Sequence, residues 1–211
     1  MPPATTTRRD RERDIVQATR ALFDERGLQD APMEEIARAV GINKALIYRV
    51  FASKEELFVL TVTSYLDELR ELASDTRDLR GALDAFTRFC LRHPAFLDCA
   101  LSLMRRPAGE LEERVGEGVW LRLGRSMAAC LAPLSALLAE RGVEDPDFVA
   151  NRLYTQVLGT MHLARIGLGV RETAPGVPGA FALDPEQVRR ACVEDALALA
   201  GPTWEVGSGG P

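Results

Sequence analysis

Residues 36 to 54, IARAVGINKALIYRVFASK, carry Arg38, Lys44, Arg49 and Lys54 without a single acid, and Tyr48 stands among them. Ammonium and guanidinium groups bind phosphate oxygens or read guanine edges, and a phenol donates to a phosphate. The chemistry this stretch can do is the binding of a polyanion. The whole chain is acidic, with a formal net charge of -5 and a pI near 5.2, which excludes adhesion to nucleic acid by bulk electrostatics. Residues 1 to 59 balance ten basic side chains with ten acidic ones, so any such binding is local.

Other chemistry is thin. Four cysteines, Cys90, Cys99, Cys130 and Cys192, form no CxxC pair and read as reduced, buried thiols. Cys90 and His93 are three residues apart, as helix-borne metal ligands can be, but no second pair joins them. No metal, cofactor or catalytic residue is expected. With only His93 and His162 and no evident nucleophile–base pair, an all-α enzyme working through paired carboxylates is the rival from another class.

The elements that must position the basic segment read as helices. Apolar residues recur at helical spacing along most of the chain and β-branched alternation is absent, which predicts an all-α fold. A first helix is expected from about Arg9 to Arg26, stopped by Gly27. Met33, Ile36, Ala37 and Val40 follow the i, i+3, i+4, i+7 pattern, with Pro32 suited to a helix start and Gly41 to a left-handed stop. Asn43 can cap a third helix over about Lys44 to Phe51, and Ser53 with Glu56 makes the S-x-x-E box of a fourth. On a helical wheel Leu46, Ile47, Val50 and Phe51 fall inward, while Lys44, Ala45, Tyr48 and Arg49 fall outward. Two short helices around a glycine turn predict a helix-turn-helix whose last member enters a major groove.

Longer helices are expected beyond residue 60, at roughly 54–74, 78–92, 94–105, 110–141, 146–169 and 185–200, with Pro133 kinking or splitting the fourth of these. The stretch VRETAPGVPGAFALDP reads as a loop, and GPTWEVGSGGP as a frayed tail. No apolar run approaches the roughly 18 residues of a membrane span, and MPPATTTRRDRER lacks the apolar core of a secretory signal, so a cytoplasmic chain without a membrane partner is expected.

The ordered set IVQATRALFDERG, MEEIARAVGINKALIYRVF and SKEELF resembles the N-terminal part of the TetR family of transcriptional regulators, over about residues 9–60 with the motif at about 32–51. The resemblance implies a three-helix DNA-binding domain at 9–60 and a larger helical ligand-binding and dimerisation domain at 61–200. It makes Asn43 and Lys44 the start of the recognition helix, Tyr48 a phosphate contact and Lys54 a backbone contact; beside it, Lys44 and Arg49 have the reach for guanine edges or phosphates and Ala45 is small enough for close groove approach. Pro32 and Val50 depart from the family pattern, which removes a hydroxyl near Pro32 and makes Val50 core. Arg8 and Arg9 are either an arm on phosphate or a solvated terminus.

The resemblance further implies a homodimer on a pseudo-palindromic operator, released as a repressor by a small, partly apolar ligand. Helices 146–169 and 185–200 are the expected dimer contact, being apolar over a wide arc and rich in small residues respectively. Pocket candidates are Phe86, Phe89, Met104, Trp120, Met127 and Tyr154, with Gln156 and His162 as polar handles. A DNA-bound scaffold without an inducer is the second rival. Ligand, operator and sign of regulation stay open at this level.

Overall fold

The computed structural model describes residues 7–27, 32–105 and 108–201. Among them lie ten helices: α1 (Arg8–Arg26), α2 (Met33–Val40), α3 (Lys44–Val50), α4 (Lys54–Ser74), α5 (Leu79–Arg92), α6 (Pro94–Met104), α7 (Ala108–Arg114), α8 (Glu117–Glu140), α9 (Pro146–Ile166) and α10 (Pro185–Leu199). A two-stranded antiparallel hairpin, β1 (Leu168–Ala174) and β2 (Val177–Ala182), stands between the last two helices. The all-α expectation holds apart from this hairpin. Two compact units divide the chain, one made of residues 1–68 and 93–128, the other of 69–92 and 129–211. The division does not follow chain order and falls inside α4 and α8.

In the first unit, α1 begins with a capping box, Thr7 Oγ1 accepting from the Asp10 amide while the Thr7 amide donates to the Asp10 carboxylate. Its inward stripe, Ile15, Val16, Thr19, Leu22 and Phe23, meets Ile36 and Ala37 of α2 and Ile47 of α3 in one buried core. Thr19 is buried without penalty because its hydroxyl donates to the Ile15 carbonyl at 2.8 Å. Beside this core sits a polar cluster. Arg20 stacks over the Tyr65 ring at 4.0 Å and donates to Glu68 Oε2 at 2.5 Å. The His93 ring meets the edge of Tyr65 and lies between two carboxylates, with Nδ1 3.2 Å from Asp24 Oδ2 and Nε2 3.4 Å from Glu68 Oε1. Burial pushes the Tyr65 phenol up, so it stays protonated.

The second unit packs α5, α9 and α10 together. Phe86 of α5 stacks on Tyr154 of α9 with centroids 5.5 Å apart. Arg189 of α10 is buried but ion-paired to Asp84 and to Glu186, which answers the cost of burying a guanidinium. All four cysteines are free and buried, as their scatter suggested. Burial pushes the Cys90 and Cys99 thiols up, and that of Cys192 up to about 11, so they remain unreactive thiols at neutral pH.

Three expectations need correction. The helix expected over 110–141 is two helices, and the break falls at Gly116, where Trp120 restarts the bonding by donating to the Gly116 carbonyl at 3.1 Å; Pro133 stays inside α8. Glycine disfavours helix by the freedom of its backbone. The helix expected to reach 169 ends at Ile166, where Gly167 takes φ 70°. The Pro- and Gly-rich stretch is the hairpin, turned by Pro175 and by Gly176 at φ 75°, with the Glu172 carboxylate accepting from the Gly176 amide at 2.6 Å. By length and composition α8 is apolar enough to cross a bilayer, but it buries Leu123 in the first unit and Cys130, Leu131, Leu134 and Leu138 in the second.

Burial works against ionisation of Glu68, but the Arg20 hydrogen bond and charge and the neighbouring His93 outweigh it and hold this carboxyl below its ordinary 4.5. A depressed folded-state value stabilises fully above 4.5 and loses that contribution as pH falls through the folded value. Glu68→Gln is therefore expected to melt below wild type at neutral pH. The gap should narrow steadily as thermal scans are taken down through about pH 4. A gap that is constant with pH would contradict the assignment.

Candidate nucleic-acid interface

Helix α3 is seven residues long and cannot hold itself, so each end is fixed by specific bonds. Gly41, at φ 71°, ends α2 in a left-handed turn, with the Gly41 amide donating to Arg38 and the Ile42 amide to Ala37 at 2.9 Å. A side chain at Gly41 would meet open space, so the backbone angle alone calls for glycine. Two residues later Asn43 caps α3, its Oδ1 accepting from the Leu46 amide at 2.8 Å. Phe51 adopts extended backbone and ends the helix. The Arg8 guanidinium donates to the Val50 carbonyl at 3.3 Å, one of the last carbonyls of α3. Arg8 and Arg9 belong to α1 rather than preceding it.

Helix α4 then opens with the expected box, Ser53 Oγ accepting from the Glu56 amide at 3.0 Å and the Glu56 carboxylate accepting from the Ala52 amide at 2.7 Å. Lys54 therefore sits in the first turn with its side chain exposed.

The two sides of α3 separate as the wheel predicts. Ile47 and Val50 are buried, Leu46 is half-buried, and Asn43, Lys44, Ala45, Tyr48 and Arg49 are exposed. Val50 is core, in line with its departure from the family pattern. Tyr48 shows 46% of its surface, which no packing inside the chain explains. Pro32 precedes α2 without a side-chain cap bond, so the hydroxyl missing there leaves a bare backbone end.

Charge is where the linear reading falls short. Although residues 36–54 hold no acid, α2 brings Glu34 to Lys44, Oε1 to Nζ at 2.5 Å, and Lys44 also lies 6.0 Å from the Tyr48 centroid. Their hydrogen bond lowers the Glu34 carboxyl and raises the Lys44 ammonium, so both remain charged. An exposed pair of this kind contributes little to stability, so it can be exchanged for a phosphate. Among the described residues no carboxylate pairs with Arg38, Arg49 or Lys54. The basic segment 36–54 therefore offers one shielded cation and three open ones.

The pocket candidates scatter. Phe86 and Tyr154 line a void of about 10 Å³ in the second unit together with Leu69, Ala73, Ala82, Cys130, Leu131 and Leu134. That volume suits about one water molecule. Phe89 is fully buried core. Met104 is exposed on α6, and Trp120 and Met127 are half-buried on α8, all three in the first unit. Gln156 donates to Thr160 at 3.2 Å and faces an open depression with Phe148, Arg152 and Leu199, while its Oε1 is buried without a hydrogen bond. His162 Nδ1 is in the same condition. The void's α8 residues were missed, though Cys130, Leu131, Leu134 and Leu138 carry a helical stripe in plain sequence. Among the described residues no three His, Cys, Asp or Glu side chains gather as a metal site requires.

Residues 15–60, the segment carrying this geometry, match the family model described as bacterial regulatory proteins, tetR family. That segment is similar to the N-terminal part of the tetR family. Over 90 residues it is 33% identical to the HTH-type transcriptional activator FasR of Mycolicibacterium smegmatis, a match covering 39% of this chain and 41% of that one. It is likewise 33% identical over 90 residues to the HTH-type transcriptional repressor KstR2 of Rhodococcus jostii, covering 40% and 44%. The chain thus spans less than half the length of these two relatives, one named an activator and the other a repressor. The TetR-family regulator PfmR of Thermus thermophilus superposes at a TM-score of 0.54 with 22% identity over 87% of this chain and 97% of that one, which extends the shared fold past the matched segment.

The cap at the head of α3 can be tested apart from DNA. Asn43→Ala is expected to destabilise the chain by about 1 kcal/mol, and Asn43→Ser to restore most of it. Urea unfolding of the three proteins reads the difference.

Proposed function

We propose that this chain is a sequence-specific DNA-binding transcriptional regulator, a homodimer that reads a pseudo-palindromic operator through α3. Residues 9–60 serve as the reading domain and 61–200 as the domain for dimerisation and ligand. The observation that carries the reading is the two-sided α3: Ile47 and Val50 anchor it while Lys44, Ala45, Tyr48 and Arg49 stand exposed on the other side. Lys44 and Arg49 supply donors for guanine edges or phosphates, Ala45 allows close approach to the groove floor, and the Tyr48 phenol donates to phosphate. Lys54 contacts the backbone from α4. The dimer pairs α9 and α10 of two copies, which brings two α3 helices to successive major grooves about 34 Å apart.

Release by a small ligand is the regulatory half of the proposal. A ligand shifts such an equilibrium only by its preference for the released form, and the candidate site is the apolar void at Phe86 and Tyr154. At about 10 Å³ that void must open to admit anything larger than water, so binding itself would separate two conformations. The same closure favours, as the second reading, a regulator without an inducer. Screening apolar metabolites for thermal stabilisation separates the two, because a ligand of the folded state raises the melting temperature by mass action.

Selection of bound sequences from random duplexes is the decisive test, an inverted repeat being the expected result and a random pool the contrary one. Lys44→Ala should reduce the ratio of operator to random-DNA affinity. Lys54→Ala should weaken both and flatten the salt slope by about one. Equal effects of the two substitutions in titrations at several salt concentrations would refute the division of roles.

A further inference from the structure

The hairpin between α9 and α10 is built with one finished face and one bare one. Side chains alternate across a strand, so the pairing of Gly169 with Phe181 and of Arg171 with Gly179 places these four on one face. That face closes on itself. The Phe181 ring lies over Gly169 so closely that a Cβ there would meet Cζ at 2.4 Å, and the Arg171 guanidinium lies 5.5 Å from the same ring. Thr173 covers Gly179 in the same way, a Cβ at Gly179 meeting its Cγ2 at 2.3 Å.

On the opposite face Leu168 pairs with Ala182 and Val170 with Ala180, all exposed. Leu168 shows 55% of its surface and Val170 77%. A lone two-stranded hairpin is marginal in water, and this one leaves its apolar side uncovered.

We propose that the hairpin is an arm that clasps the second copy of this chain, its Leu168–Val170–Ala180–Ala182 face packing on the partner subunit. The inference rests on the dimer reading above and adds a second contact to it. Continuity identifies the occupant. Phe148, Arg152, Thr155, Gly159, Leu163 and Ile166 recur at helical spacing along the outward side of α9 and are all exposed. Nothing within 4 Å would meet a side chain placed at Gly159, so the middle of that stripe is open to a close helix approach. Leu163 and Ile166 then lead through Gly167 into Leu168 and Val170. The exposed stripe of α9 thus continues along the chain into the bare face of the hairpin, and in the proposed dimer the second copy is the one body that covers both. The Leu183 amide, donating to the Gly167 carbonyl at 3.0 Å, closes the base of the hairpin and ties it to the end of the same helix.

Sedimentation of the full-length chain over a concentration series tests the arm. Val170→Asp, which places a charge on the bare face, is expected to raise the dimer dissociation constant at least tenfold with helicity unchanged. Arg171→Ala, on the finished face, should leave that constant within about twofold, and Gly159→Arg should give monomers. Amide exchange in the wild-type hairpin should be slow above the dissociation constant and fast below it, a readout independent of how any variant folds. Dimerisation unaffected by Val170→Asp beside monomeric Gly159→Arg would overturn the arm and leave the α9–α10 dimer standing. Hairpin amides equally slow at every concentration would also overturn the arm. A wild-type chain that is monomeric throughout would remove the dimer and the arm together.

Discussion

Everything this molecule offers to a partner at its N-terminal end depends on the anchoring of a seven-residue helix. So short a helix has no stability of its own, since nucleation costs more than a few hydrogen bonds return. Burial of Ile47 and Val50, the Asn43 cap and the Arg8 contact to the Val50 carbonyl supply what the helix lacks. Because these anchors all act on the inner side or at the ends, the outer side is left with side chains chosen for something other than folding. Tyr48, half exposed beside two cations, is understandable on those terms and on few others.

Electrostatics refine that picture. An acidic chain can hold a polyanion only where its positive charge is concentrated, and the face formed by Lys44, Arg49 and Lys54 does so. Glu34 tempers it by holding Lys44 while the face is unoccupied. The arrangement keeps the lysine oriented near Tyr48 without committing much free energy, so a phosphate can replace the carboxylate.

The second unit is tight where a ligand would enter and open where a subunit would dock. Phe86 stacked on Tyr154, with Leu131 and Leu134 nearby, leaves almost no space. The buried thiols and the paired Arg189 show an interior whose polar groups are largely answered within the chain, with Gln156 Oε1 and His162 Nδ1 as the exceptions on α9. The outward side of α9 and one face of the hairpin beyond it are the reverse, exposed and partly apolar. Two kinds of surface on one helix follow from its sequence having apolar residues over a wide arc, of which the chain itself covers only part.

Helical periodicity, caps and glycine stops made the N-terminal half legible in advance, because α1 to α4 are set by interactions within a few residues. Thr7, Asn43 and Ser53 act on amides three positions away, and Gly41 acts through its own backbone angle. Which side of α3 is buried was legible for the same reason, the wheel being a local property. Three things were decided only by tertiary structure. Glu34 meets Lys44 because the turn at Gly41 folds α2 back on α3, and Arg8 meets Val50 because α1 packs against α3, contacts that no spacing along the chain reveals. The hairpin forms because cross-strand neighbours, Phe181 over Gly169 and Thr173 over Gly179, compensate for glycines that taken one by one argue against a strand. Sequence alone therefore determined the elements whose forces are local. Tertiary structure decided the partners, because charge pairing and cross-strand packing act through space and ignore the order of the chain.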